Sequence, residues 1–182
     1  MRAFIAVDFE PSDVLRGLLG ALNSSRARLR VVGAENLHIT LRFLGTVEES
    51  LVPSIVDVMR RSAKGIRPSL LTLIGTGAFP SLRAPRVLWV GVKGGDALVT
   101  LARGLEEGLQ ELGFPRERRR FSPHLTVARV KGTQGGDRIA RVMEEYREES
   151  FGEQRVEDIR LKRSELTPSG PIYHEVAKVA LE

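Results

Sequence analysis

Two rhythms of apolar and polar positions share this chain, a two-residue alternation and a three-to-four-residue spacing, and their order lays out its elements. The run "AFIAVDF", Ala3 to Phe9, is apolar and β-rich. Glu10-Pro11-Ser12-Asp13 supplies helix-start chemistry, with Ser12 or Asp13 as the cap, and Val14, Leu15, Leu18, Leu19 and Leu22 follow at helical spacing. A short basic piece, "RLRVV", leads to a strand from His38 to Leu44. Val52, Ile55, Val56 and Met59 mark a second helix, and "SLLTLIG" another strand.

The order then starts again. "RVLWVGV" reads as a strand, and Gly94-Gly95-Asp96 turns into a helix carrying Leu98, Leu101, Leu105, Leu109 and Leu112. A strand around His124 follows, then a short helix through Ile139, Val142, Met143 and Tyr146. "RVEDIRLKRS" reads as one further strand, and "PIYHEVAKVAL" closes the chain after the turn Thr167-Pro168-Ser169-Gly170-Pro171. His38 and His124 are 86 residues apart, and the same offset carries Phe4 into the strand of Trp89, Leu51 to Asp137 and Ser69 to Arg155. A strand–helix–strand–helix–strand unit therefore occurs twice, over roughly 1–80 and 86–165, with 171–181 as a closing strand. The expected fold is α+β and bilobal: one domain over 1–182, with two pseudo-twofold-related lobes. Each lobe is an antiparallel sheet with helices on its outer face.

Composition narrows the chemistry. The chain has 182 residues, 42% apolar and 28% charged, enough for a substantial core. It contains no cysteine, which excludes disulfides, thiolate metal sites and a cysteine nucleophile. "MRAFIAVDFEPSD" is too short and too soon acidic for a signal peptide, and no apolar run approaches the roughly 18 residues of a membrane span. A cytoplasmic, monomeric protein is the expectation. A net charge of +5 and a pI of about 10.1 suit a polyanion such as RNA. The densest excess, "PRERRRFS", places Arg116, Arg118, Arg119 and Arg120 just before His124. A solvated basic loop and a phosphate-steering rim both explain it.

The repeat is anchored by "NLHITLRFLG" and "SPHLTVARV", each with a histidine and a threonine two residues apart. Side chains alternate faces along a strand. His38, Thr40 and Arg42 therefore share one face, opposite Ile39, Leu41 and Phe43, and His124, Thr126 and Ala128 oppose Leu125 and Val127. With the apolar faces on the helices, the two polar faces look at each other across a cleft. Two imidazoles and two hydroxyls around one phosphate suit phosphodiester hydrolysis. One imidazole takes a proton from the nucleophile, the other gives one to the leaving oxygen, and hydroxyls meet the non-bridging oxygens. Isolated strand histidines are commonly structural, but two at matching points of a repeat are not explained that way. A catalytic zinc site needs about three protein ligands, and only His174 remains as a further histidine. There is no Gly-x-Ser-x-Gly elbow.

The two motifs resemble the paired His-x-Thr-x motifs of the two-histidine (2H) phosphoesterase superfamily. The wider text is most similar to its RNA 2′,3′-cyclic phosphodiesterase branch, the 2′-5′ RNA ligase (LigT-like) family. "FIAVDF", "GAFPSLRAPRVLWVGV" and "SELTPSGPIYHEVAKVAL" extend the resemblance over essentially the whole chain. The resemblance implies opening of a terminal 2′,3′-cyclic phosphate on RNA to a 2′-phosphate, with no metal and no cofactor. It implies His124 as proton acceptor, His38 as proton donor, and Thr40 and Thr126 as phosphate holders. The substrate class implied is RNA ends with a cyclic phosphate, tRNA fragments or cyclic nucleotides among them. Joining of RNA halves through a 2′-5′ linkage is the alternative within the family, and a non-catalytic RNA-binding module the alternative outside it.

Four further residues are candidates for substrate contact: Arg129, Arg42, Phe4 and Phe121. Arg129 stands where the second motif commonly continues to an arginine. It is five residues past His124, whereas Arg42 is four past His38. Ideal alternation puts Arg42 on the cleft face and Arg129 on the opposite one, unless a strand end or bulge turns Arg129 inward. Phe4 and Phe121 can stack on a base, but as core residues they need no ligand.

Overall fold

The computed structural model describes every residue from Met1 to Glu182. Ser12 is the cap of the first helix: its hydroxyl accepts from the Leu15 amide at 3.1 Å and donates to the Phe151 carbonyl at 2.6 Å. That helix, α1 (Asp13–Ser24), buries Leu15, Leu18, Leu19 and Leu22, the stripe read from the sequence. The remaining elements run β1 (Arg2–Asp8) before it and, after it, β2 (Leu29–Val31), β3 (His38–Thr46), α2 (Val52–Ala63), β4 (Ser69–Phe79), β5 (Val87–Lys93) and α3 (Asp96–Glu111). Then come β6 (His124–Val130), α4 (Gly136–Glu145), β7 (Ser150–Val156), β8 (Asp158–Thr167) and β9 (Gly170–Ala180).

The strands form two antiparallel sheets, of order β3-β1-β8-β9 and β2-β6-β5-β4-β7. Within them β1 pairs with β3 as β5 pairs with β6, so the motif strands occupy matching positions. The α+β class and the two sheets agree with the sequence reading. The path of the chain between them differs from it. β4, grouped by the 86-residue offset with β1 and β3, pairs instead with β5 and β7 in the other sheet. "RVEDIRLKRS" is not one strand but the end of β7 and most of β8, which lie in different sheets. Buried Val156 and Ile159 are three residues apart, so the alternation changes phase at Glu157 and the chain crosses over there.

The helices cross as well. α1 packs on β2, β7 and α4, whereas α2 and α3 pack on each other and on β9 and β3. "RLRVV" supplies β2, a three-residue edge strand on β6. One continuous apolar core links both sheets and all four helices, which fixes the lobes relative to one another.

Candidate active site

The two sheets come together along the strands that carry the motifs, β3 and β6. Both strands contain an extra residue at the same place. In β3, Ile5 of β1 stands opposite Arg42 and Ala6 opposite Thr40, which leaves Leu41 without a partner. In β6, Leu88 of β5 stands opposite Ala128 and Trp89 opposite Thr126, which leaves Val127 without one. Each bulge puts two successive side chains on the buried side, Leu41 with Arg42 and Val127 with Ala128. Alternation resumes one residue late. Phe43 and Arg129, five residues past their histidines, therefore join His38, Thr40, His124 and Thr126 on the polar faces.

Backbone carbonyls hold the two imidazoles identically. Nδ1 of His38 lies 2.6 Å from the Asn36 carbonyl oxygen, and Nδ1 of His124 lies 2.7 Å from that of Ser122. A carbonyl only accepts, so Nδ1 carries hydrogen in both rings and Nε2 is left free, an acceptor when neutral and a donor when protonated. An aromatic edge braces each ring: Tyr173 against His38 at 5.3 Å and 90°, Phe79 against His124 at 5.0 Å and 87°. Thr40 and Thr126 are half-buried on the same faces. Beneath Thr126 the Trp89 indole lies flat on Gly77, where a Cβ would sit 2.2 Å from the ring.

The surroundings of the two rings differ. Asp8 stands opposite His38 in the ladder, and Gly91 opposite His124. The Asp8 carboxylate accepts from Lys162 at 2.7 Å and from Arg160 at 3.0 Å, and Lys162 is almost fully buried. Burial holds the His38 imidazole below its usual pKa. The neighbouring cations Lys162 and Arg129 push the same way, against the Asn36 carbonyl and Asp8. Arg129 belongs to the other sheet, so its action on His38 shows polar groups of both lobes meeting in one space. It also favours the anionic form of Tyr173, as does Arg2, although burial dominates and raises that phenol.

Arg42 lies elsewhere. The bulge turns it to the helix side, where its side chain is 4% exposed and pairs with Glu106 at 3.4 Å and with Glu117, while donating to the Pro115 carbonyl. The placement expected from unbroken alternation is thus reversed for both arginines. Phe4 is on the polar face but buried beneath His38, Phe43 and Tyr173, with no free surface for a base. Phe121 packs against the apolar core. The third histidine, His174, is exposed beside Glu165 at 3.2 Å. No three histidine or acidic side chains stand together as a metal-ligand set. A hollow of about 450 Å³ near Met1, Val52 and His174 does not include either imidazole.

Sequence reasoning missed Asp8, Lys162, Tyr173, Phe79 and Trp89. Each reaches the site through strand pairing alone. The His-x-Thr motifs gave no hint of them, because all five lie on other strands, β1, β4, β5, β8 and β9.

Comparison with known proteins bears on this geometry. The family model described as the 2′-5′ RNA ligase superfamily matches residues 11–167. A Methanothermobacter thermautotrophicus protein named RNA 2′,3′-cyclic phosphodiesterase is 39% identical, over 97% of this chain and 96% of its own length. One of the same name from Archaeoglobus fulgidus is 43% identical over 97% and 98%. A crystal structure of a Thermus thermophilus protein superposes with a TM-score of 0.78 at 30% identity, covering 100% of this chain and 98% of that one. E. coli LigT complexed with 3′-AMP gives 0.73 at 25% identity, covering 99% and 97%.

Proposed function

The chain belongs to the 2′-5′ RNA ligase superfamily, and from that premise we propose that it is an RNA 2′,3′-cyclic phosphodiesterase working by paired histidine acid–base catalysis. The observation that carries the mechanism is the identical anchoring of both Nδ1 atoms, which leaves two Nε2 atoms for one phosphate. Neutral His124 takes a proton from water as its oxygen bonds to phosphorus. Protonated His38 gives its Nε2 proton to O3′ as the P–O3′ bond breaks. The product is a 2′-phosphate beside a free 3′-hydroxyl. Thr40 and Thr126 donate to the non-bridging oxygens, where charge gathers in the transition state. Arg129 adds a positive charge at the same face. Nothing in this scheme requires a metal.

The test is the opening of an oligonucleotide ending in a 2′,3′-cyclic phosphate, in excess chelator, followed by mass analysis of the product. His38→Ala and His124→Ala should each lose about 10²–10⁴-fold in kcat. Full activity in either variant, or loss of wild-type activity on chelation alone, refutes the mechanism. The superfamily's description favours one second reading, 2′-5′ joining. The same groups serve joining when a 5′-hydroxyl RNA end replaces water at the 2′,3′-cyclic phosphate: its oxygen bonds to phosphorus as the P–O3′ bond breaks, and a 2′-5′ linkage forms. Adding that partner to the assay separates the two reactions. A module that only binds RNA would retain salt-sensitive binding after loss of both histidines and form no product.

A further inference from the structure

One row of the second sheet carries, beside Arg129, a charge that the hydrolytic scheme does not use. Arg30 of β2 stands directly opposite Arg129 of β6. Directly opposed residues share a face, so Arg30 lies on the polar face with Arg129. Like charges placed this way repel, and an acidic neighbour would relieve them. Neither arginine has one: both are exposed, and neither forms an ion pair or a side-chain hydrogen bond.

Arg30 also reaches the other lobe. Its Nη1 lies 3.8 Å from the position a Cβ would take at Gly170, the first residue of β9. Tyr173, three residues further along β9, feels the charge of both Arg129 and Arg2. Arg2, likewise exposed and unpaired, stands opposite Ser164 of β8, two residues before Phe4 on the same face of β1. Three arginines from two lobes thus surround the start of β9 without a counter-charge.

Distance along β6 says what would fit. The bulge makes Arg129 the next residue after Thr126 on the polar face, roughly 7 Å further along the strand. That is about one nucleotide step from the phosphate held at Thr126. We propose that Arg30 and Arg129, with Arg2 on the facing wall, form a second anion subsite that takes the phosphodiester immediately 5′ of the terminal nucleoside. The proposal rests on the RNA-end reading and sharpens it. A cyclic mononucleotide has no second phosphate, so the subsite makes the protein select RNA ends over cyclic mononucleotides. The bound phosphate also relieves the Arg30–Arg129 repulsion that the free protein carries.

The test compares kcat/KM for 2′,3′-cyclic AMP with that for the dinucleotide ApA ending in a 2′,3′-cyclic phosphate. In Arg30→Gln the dinucleotide-to-mononucleotide ratio should fall about tenfold, the loss of one charged phosphate contact. Arg30→Lys should restore part of it. The slope of log kcat/KM against log salt for the dinucleotide should become shallower by about 0.7, one phosphate contact on a single strand. The Tm of Arg30→Gln should not fall, because an unfavourable pair has been removed. An unchanged ratio overturns the proposal, as does a ratio lost in Arg118→Gln or Arg119→Gln but kept in Arg30→Gln, which would send the strand over the arginine loop. Calorimetric binding of ApA with a linear 3′-phosphate, against 3′-AMP, gives a readout independent of turnover. An Arg30-dependent advantage for the longer ligand, in a protein that opens neither cyclic substrate, would keep the subsite and sink the hydrolase reading.

Discussion

Replacing Arg42 with methionine separates two views of this site, because unbroken alternation and the bulged strand give that residue opposite jobs. A cleft arginine that touches phosphate would be dispensable for folding, and its loss would raise KM. The structure places it in a clasp instead. Its side chain is 4% exposed, and its guanidinium joins β3 to Glu106 of α3, to Glu117 and to the Pro115 carbonyl, so it holds the loop that leads to Ser122 and His124. Removing one partner of a buried ion pair costs about 3–5 kcal/mol. Here Glu106 is 17% and Glu117 49% exposed, and both can regain water, so about 2 kcal/mol is the better figure. For a chain of this length that lowers Tm by about 4–8 °C. Methionine keeps most of the stem, so packing is largely retained. Lysine should not rescue, because a single ammonium cannot span three acceptors as the guanidinium fork does. The assay pairs thermal unfolding with steady-state kinetics at least about 20 °C below the variant's transition, where the folded fraction is not limiting. The expected result is a lower Tm, an unchanged KM and a kcat reduced only as far as the loop loosens. An unchanged Tm with KM raised tenfold or more would show that Arg42 faces the substrate and that the bulge reading is wrong.

Two further outcomes follow from the same geometry. Lys162→Met removes a buried cation that holds the His38 imidazole low, and leaves Asp8 to favour the protonated ring more strongly. If His38 is the donor, kcat/KM falls as pH rises through its pKa in the free protein, below 6.5 in the wild type, and this limb should move to higher pH in the variant; a limb that stays or moves down refutes the role. Gly77→Ala places a methyl 2.2 Å from the indole of Trp89, so the ring must shift, at a cost of about 1–3 kcal/mol. As Trp89 is the only tryptophan, an emission shift alongside a lower Tm is expected, and neither change would mean that the ring does not lie on Gly77.

Much of the fold was legible because the relevant signals are local. Ser12 and the Leu15–Leu22 stripe specify α1, and the His-x-Thr strands announce themselves by alternation. The class of fold followed from the doubled order of elements. What failed was connectivity. The crossing of β4 into the second sheet leaves no mark in its own apolar pattern. The break at Glu157 did leave one, the three-residue step from Val156 to Ile159, which a count of phase rather than of apolar content would have found. The bulges were half legible. Two buried positions in succession, Val127 and Ala128, are both apolar and mark the slip in β6. In β3 the corresponding pair is Leu41 and Arg42, and a buried arginine disguises it.

Repetition and the proposed catalysis make opposite demands on this protein. Doubling a unit gives two imidazoles with the same carbonyl anchor, the same aromatic brace, a threonine two residues on and the same bulge beyond it. Acid–base catalysis needs the rings in opposite protonation states. The difference must then come from neighbours across the ladder rather than from the motifs, and those are the positions where the two sheets diverge. Asp8 corresponds to Gly91, Ala6 to Trp89, and Phe43 to Arg129. His38 lies over a half-buried carboxylate paired with a buried ammonium, with an arginine facing it from the other lobe, whereas glycine is the ladder partner of His124. Burial, with Lys162 and Arg129, holds His38 low in the free protein. An anionic phosphate bound between the lobes favours its protonated form, so the proton the donor needs is secured by the substrate itself. On this account the alkaline limb should lie at higher pH in kcat than in kcat/KM, since only the former reports the bound state.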